Sequence, residues 1–317
     1  MGKRLFNKAL LAGTFIGAAA AAGFCAATDV LLSKNGINKT NYKNAENALK
    51  SGQTVPENEE RNLGYEFFKR TTSESVFTFN DEGECLHALS YKQNAETNVY
   101  VIICHGYTSM PYEDYVNARR HYESGYNLIM PHLRGHGKSK HAYCSMGWLD
   151  RLDIICWIKY ILNKNPNAKI ILHGVSMGAA TVMMTTGEKL PENVVCAIAD
   201  CGYTSVWDEY SVQMREMFGL PVFPFLPLLR IAVKHRAGFD LKEASCINQV
   251  KKSVTPTLFI HGDKDDFVPL WMNYPLYRDA ACEKERLIIP GAAHAESNIV
   301  QPELYWGSID KFIKKYI

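Results

Sequence analysis

From residue 74 onward the chain alternates short apolar runs with longer stretches whose apolar residues recur every three or four positions. The runs ESVFTF (74–79), CLHALSY (85–91), NVYVIIC (98–104), YNLIMPH (126–132), AKIILHG (168–174), VVCAIAD (194–200), TPTLFIHG (255–262) and ERLIIPG (285–291) predict eight strands. The later runs are short and continuously apolar, as strands buried on both faces are. RLDIICWIKYILNK and the closing PELYWGSIDKFIKKYI carry the three-four spacing of amphipathic helices. This alternation predicts an α/β fold with a mostly parallel sheet and helices on both faces.

Two intervals break the rhythm. Between the sixth and seventh strands, residues 203–254 are too many for a plain crossover, and REMFGLPVFPFLPLLRIAV inside them is apolar with Pro221, Pro224 and Pro227 at intervals of three. Prolines so spaced break an ordinary core helix, so this interval is expected to form a small helical lid. At the other end, Lys3, Arg4 and Lys8 precede an uncharged stretch from Ala9 to Thr28, about as long as a membrane-spanning helix. Basic residues ahead of such a run favour retention of that end in the cytoplasm. Residues 1–32 are therefore expected to be a membrane anchor, with the rest of the chain on the far side of the cell membrane. Ala20-Ala21-Ala22 offers the alternative of a cleaved signal peptide and secretion. Residues 33–63 are polar and read as a linker, leaving 64–317 as the folded domain.

Composition narrows the class. With 317 residues, 47% of them hydrophobic and 21% charged, the chain is long enough for one large domain. Its formal charge of +2 is spread without a basic stripe, so no nucleic-acid partner is expected. Cys104, Cys156 and Cys196 sit inside apolar runs, and none of the nine cysteines forms a Cys-x-x-Cys pair. Buried thiols acting as small hydrophobes fit better than a disulfide framework, which pulls against an oxidising compartment.

The chemistry starts at Gly174-Val175-Ser176-Met177-Gly178, between a strand and a helix-like run. A sharp strand-to-helix turn lifts a serine hydroxyl above a sheet only if its neighbours are small, and the helix that follows points free N–H groups at the site. Serine is a weak nucleophile at neutral pH and needs a base oriented by a carboxylate. His294 follows the eighth strand, and Asp263, Asp265 and Asp266 follow the seventh. His105-Gly106 ends the third strand in an open turn, where the N–H of Tyr107 is expected to pair with that of Met177 as an oxyanion hole.

HGYTS (105–109), LRGHGKS (133–139), GVSMG (174–178), HGDKDDFVP (261–269) and GAAHAES (291–297), in that order, resemble the α/β-hydrolase superfamily, and in particular its bacterial serine hydrolases of the esterase, lipase and serine-aminopeptidase-like kind. The resemblance covers about residues 74–317 and implies the eight-stranded fold, a lid after strand six and a Ser–His–Asp triad. The family pattern His-Gly-x-x-Asp-x-x-Val-Pro falls on His261, Gly262, Asp265, Val268 and Pro269, which makes Asp265 the implied acid and leaves Asp263 and Asp266 as turn residues. Asp200, at the end of the sixth strand, is where other members of the fold keep the acid. His132 stands where many relatives carry an aspartate.

The expected activity is hydrolysis of a small-molecule carboxylic ester through Ser176, His294 and Asp265, with no cofactor. Phe218, Phe223 and Phe225 in the lid are the expected substrate-binding residues. A peptidase is the alternative; it would need an acid for the free amine, and Asp208, Glu209 and Glu216 are the nearby candidates. A non-catalytic binding protein ranks third, since no triad position is replaced. No metal is expected: the ten histidines contain no HExxH pair, and His132, His136 and His141 read as solvated loop residues. GHGKS lacks the first glycine of a phosphate-binding loop, because position 132 is histidine.

Overall fold

A computed structural model of the chain describes residues 22–37, 58–94 and 96–317. Helix α1 (Glu59–Arg70) leads into an antiparallel hairpin, β1 (Glu74–Phe79) and β2 (Cys85–Tyr91). There follow β3 (Val99–Cys104), α2 (Tyr115–Glu123), β4 (Asn127–Pro131), α3 (Asp150–Lys164), β5 (Lys169–Val175), α4 (Met177–Thr186) and β6 (Val194–Asp200). After an insertion carrying α5 (Val206–Glu216) and α6 (Val222–Ala237), the chain continues through α7 (Cys246–Val250), β7 (Thr257–Gly262), α8 (Asn273–Asp279), β8 (Lys284–Ile289), α9 (Ser297–Val300) and α10 (Pro302–Ile313).

The eight strands form one sheet in the order β1-β2-β4-β3-β5-β6-β7-β8. β2 pairs antiparallel with β1 and β4, and every other pairing is parallel. Successive side chains of a strand face opposite sides. Thus Ile102 and Cys104 of β3 enter one core while Val101 and Ile103 enter the other, and Ile170 and Leu172 of β5 oppose Ile171 in the same way. Helices α3 and α4 cover the first side, and α2 and α10 the second. Two buried faces are why these strands are continuously apolar.

Gly64, expected at the start of the domain, lies in the middle of α1. The N-cap Asn58 side chain accepts from Arg61 N–H, Glu59 and Glu60 sit in the first turn, and Lys69 and Arg70 close the last. Both placements suit the helix dipole. Glu60 is paired with Arg119 and Arg120 of α2. Of the stretch expected to be a linker, residues 38–57 lie outside the described residues.

The expected membrane-spanning anchor is corrected here. Among the described residues no helix is long and apolar enough to cross a membrane. The start of the apolar run, up to residue 21, lies outside the described residues. Residues 22–37 are largely helical and lie against the domain, with Leu32 and Ile37 buried in the same core as α3 and α4. Cys144 N–H donates to Leu32 O at 2.7 Å and Lys34 N–H to Ala142 O at 2.8 Å. Asp29 pairs with Arg236 of α6 and accepts from the Tyr143 hydroxyl. The apolar face of this segment is satisfied by protein, so a single-pass anchor with an extracytoplasmic domain is unsupported.

Candidate active site

β5 ends at Val175, and Ser176 turns the chain into α4 with φ 57° and ψ −118°. That conformation is strained for a residue with a side chain, and it persists because its surroundings fix it. Ser176 N–H donates to Asp200 O at 2.8 Å across to β6. The flanking glycines are a steric requirement. A β-carbon at Gly178 would lie 1.8 Å from Cys104 O, and one at Gly174 would lie 2.1 Å from Gly178 O. The turn therefore sits directly against the end of β3, where the His105–Tyr107 loop begins.

Three strand ends bring the expected polar groups together. Ser176 Oγ and His294 Nε2 are 2.9 Å apart, and His294 Nδ1 and Asp265 Oδ2 are 2.8 Å apart. One tautomer satisfies both contacts: Ser176 O–H donates to Nε2, and Nδ1–H donates to the carboxylate. Asp265 also accepts at Oδ1 from the N–H groups of Phe267 and Val268, at 3.1 and 2.8 Å. Its burial favours the neutral form, but hydrogen bonds from His261 and His294 outweigh that and hold the carboxyl below its ordinary range. Asp263 Oδ1 accepts from Gly291 N–H at 2.7 Å as a loop residue, and Asp266 is exposed. Asp200, the alternative acid, accepts from Ser297 Oγ at 3.2 Å, and burial pushes its carboxyl up to about 6.

Tyr107 and Met177 both line a cavity that contains Ser176. Met177 is the first residue of α4, so its N–H has no intrahelical acceptor and is free to face the site. The loop carrying Tyr107 is braced by histidines, which corrects their reading as solvated loop residues. His132, His136 and His141 are all buried. His136 Nδ1–H donates to Arg134 O at 2.9 Å, leaving Nε2 to accept from Thr108 N–H at 3.1 Å. His105 accepts from Leu133 N–H at 3.2 Å, and its ring packs edge-on against His136 with centroids 4.9 Å apart. Burial holds His136 down to about 4 and His132 down to about 3, so both rings are neutral near pH 7. The partner of His136 Nε2, Thr108, lies 28 residues away in sequence on the loop after β3, so the sequence carries no local sign of the brace.

Two cavities meet at Ser176. One, of about 470 Å³, is lined by His294 and polar residues that include Arg61, Ser109, Asn117 and Asn298. The other, of about 350 Å³, is mostly apolar, with Tyr203, Tyr210, Met214, Phe218 and Leu229 among its walls. Phe218, 56% exposed, is among these walls. Phe223 and Phe225 are not brought to this wall. Phe223 is 78% exposed, and Phe225 packs against Phe24 of the N-terminal segment with centroids 6.4 Å apart. The turn at Pro221 and the non-helical Phe223 set which side chains α6 presents, and apolarity alone did not carry that information. Leu31, Met146, Glu209 and Phe267 line the apolar cavity as well. Of these, only Glu209 was singled out by the sequence, as a candidate amine site.

The insertion is closed at its base, where Ser205 and Ser245 form an isolated antiparallel bridge. From there α5 and α6 rise beside the apolar cavity, to which α5 contributes Glu209, Tyr210, Gln213 and Met214. Side-chain ligand atoms of Cys201, Asp265 and His294 fall within 4.8 Å of one another, as do those of Glu82, Glu84 and His141. In the first group, His294 Nδ1 and Asp265 Oδ2 already bond to each other. In the second, His141 Nδ1 already lies 2.6 Å from Glu84 Oε2.

A family model described as alpha/beta hydrolase fold matches residues 99–222. The chain is 28% identical over 214 residues to the uncharacterized protein YqkD of Bacillus subtilis, covering 67% of this chain and 70% of that protein. It is 26% identical over 178 residues to the uncharacterized protein YfhR of Escherichia coli K12, covering 55% of each. Among solved structures, the Pyrococcus furiosus esterase Pf2001 superposes with a TM-score of 0.64 at 22% identity, over 83% of this chain and 96% of that one. An acylaminoacyl peptidase of Pyrococcus horikoshii superposes with a TM-score of 0.56 at 19% identity, over 78% of this chain and 42% of that one. With the sheet order and the strand-to-helix turn described above, these matches show that the chain has the α/β-hydrolase fold. Esterases and peptidases share its fold, so the bond cleaved has to be argued from the site.

Proposed function

We propose that this chain is a serine hydrolase of carboxylic esters. The observation that carries the reading is the continuous hydrogen-bonded line from Ser176 Oγ through His294 to Asp265, at the junction of the two cavities. Ser176 attacks the acyl carbonyl as His294 Nε2 takes its proton, and Asp265 stabilises the imidazolium that forms. The N–H groups of Tyr107 and Met177 hold the oxyanion; loss of one such donor typically costs about 3 kcal/mol of transition-state stabilisation. His294 then protonates the departing oxygen, and water returns along the same route to release the acyl group.

The two cavities divide the substrate between them. The leaving group has to lie within reach of His294 Nε2, which lines the larger and more polar of the two cavities. The acyl group then occupies the apolar cavity under α5, with the insertion acting as its lid. An apolar acyl chamber supports an ester of a medium-chain acid over a peptide bond.

Hydrolysis of p-nitrophenyl esters from acetyl to palmitoyl, beside aminoacyl p-nitroanilides, tests this reading. The kcat/KM is expected to rise about fourfold per added methylene until the cavity is filled, since each buried methylene contributes ~0.8 kcal/mol. The anilides are expected to remain uncleaved. Preferential anilide cleavage would replace the esterase reading with a peptidase one.

A further inference from the structure

The acyl cavity contains one acid. Glu209 of α5 is 3% exposed and lines the same apolar space as Ser176, and no Lys, Arg or His is among the described residues around that space. Its Oε1 accepts from Gln213 Nε2 at 2.9 Å, while its Oε2 is buried with no hydrogen-bond partner among the described residues. The adjacent acid is a contrast. Asp208 points the other way, accepts from the hydroxyls of Thr204 and Ser205 at 2.7 and 2.8 Å, and so completes the start of α5. A buried carboxyl oxygen without a partner is costly, so a partner is expected from whatever enters the cavity. The neighbouring phenols of Tyr107 and Tyr203 are already engaged, donating to Leu31 O and Met146 O. Among the described residues lining the cavity, Glu209 Oε2 is the buried side-chain oxygen left without a hydrogen-bond partner.

We propose that Glu209 is a specificity residue that binds an oxygen atom carried along the acyl chain, so that the preferred substrates are esters of keto- or ether-bearing acyl groups rather than of plain alkyl acids. This rests on the reading of the apolar cavity as the acyl site of Ser176.

The protonation state decides what Glu209 can recognise. Burial is the main cause that pushes its carboxyl up to about 8, the hydrogen bond from Gln213 opposes this, and the charge of Asp265 adds to it. Tyr203, from the loop before α5, and Tyr210, on α5 itself, are the other titratable groups coupled to it, and burial keeps both phenols neutral. Near pH 7 Glu209 is therefore a neutral acid whose O–H donates to an acceptor oxygen. As pH rises through about 8 it ionises, becomes an acceptor only, and loses that contact. A cationic amine would show the opposite trend, binding better as the carboxylate forms.

The test uses the full chain and p-nitrophenyl hexanoate, 5-oxohexanoate and 6-aminohexanoate at pH 6.5 and pH 9. The quantity compared is the kcat/KM ratio of 5-oxohexanoate to hexanoate within each protein. At pH 6.5 this ratio is expected to be about three- to tenfold higher in the natural protein than in Glu209→Leu, the range of one net hydrogen bond. Glu209→Gln, which keeps a neutral donor, is expected to retain the ratio at both pH values, while the natural protein loses it by pH 9. A ratio unchanged in Glu209→Leu, or a preference for 6-aminohexanoate that grows above pH 8, would overturn the assignment. Calorimetric binding of hexanamide and 5-oxohexanamide separates this outcome from failure of the esterase reading. Tighter binding of the oxo compound, lost in Glu209→Leu, upholds the role of Glu209 even without turnover, and equal binding of the two amides overturns it.

Discussion

Ser176→Ala is expected to lower kcat for ester hydrolysis by about 10⁶, the scale seen when the nucleophile of a serine hydrolase triad is removed. On the proposed mechanism the substitution takes away the oxygen that forms the acyl intermediate, while leaving the strand-to-helix turn as it is. The turn is fixed by backbone contacts: Ser176 N–H to Asp200 O, and Gly178 packed on Cys104. The serine hydroxyl contributes one contact, to His294, and nothing in the core depends on it. Circular dichroism and the melting curve should therefore match those of the natural protein. Any residual rate would come from the oxyanion donors and from binding in the two cavities. A loss of less than tenfold, with the fold intact, would remove Ser176 from the chemistry.

Asp265→Asn is expected to cost about 10⁴ in kcat with little change in KM, as loss of the carboxylate does in a comparable triad. The geometry gives the reason. Asp265 Oδ2 accepts from His294 Nδ1–H, and Oδ1 accepts from two backbone N–H groups. An asparagine that keeps its oxygen on the backbone donors must present its NH₂ to the imidazole. His294 would then be driven to the tautomer protonated at Nε2, which cannot take a proton from Ser176. Substrate binding needs none of this, so KM is spared. Asp200→Asn is the control: this residue bonds to Ser297 rather than to His294, and its replacement should lower kcat by less than about tenfold, since it does not alter the tautomer. Steady-state kinetics on the two variants decides between the acids, and equal losses would make the assignment of Asp265 wrong.

The sheet was legible because its strands are covered on both faces, which writes itself into the chain as unbroken apolar runs such as VYVIIC and KIILHG. The serine turn was legible because its glycines answer a steric demand within five residues, Gly174 to Gly178. His294 was legible by its place after strand eight, whereas Asp265 was separated from Asp263 and Asp266 by the pattern of His261, Gly262, Val268 and Pro269 around it.

What stayed hidden depends on contacts between distant segments. His136 reads as a loop residue until Thr108 is brought to its Nε2, and Glu209 reads no differently from the other candidate acids Asp208 and Glu216 until α5 turns it into the cavity. The N-terminal segment misled for a related reason. Hydropathy records that a helix needs an apolar cover, but not whether lipid or protein supplies it, and for residues 22–37 the cover is the core around Leu32 and Ile37. Phe223 and Phe225 show the same limit at smaller scale, because composition places apolar residues in the lid without saying which way they face.

The most direct measurement is to treat the full chain with an alkyl fluorophosphonate, digest it and locate the adduct by peptide mass spectrometry. Activation of Ser176 by His294 is expected to give one adduct per chain, on the peptide containing Gly174–Gly178, and none in Ser176→Ala. An unlabelled natural protein, or an adduct on another serine such as Ser109 in the polar cavity, would contradict the assignment of Ser176 as the nucleophile.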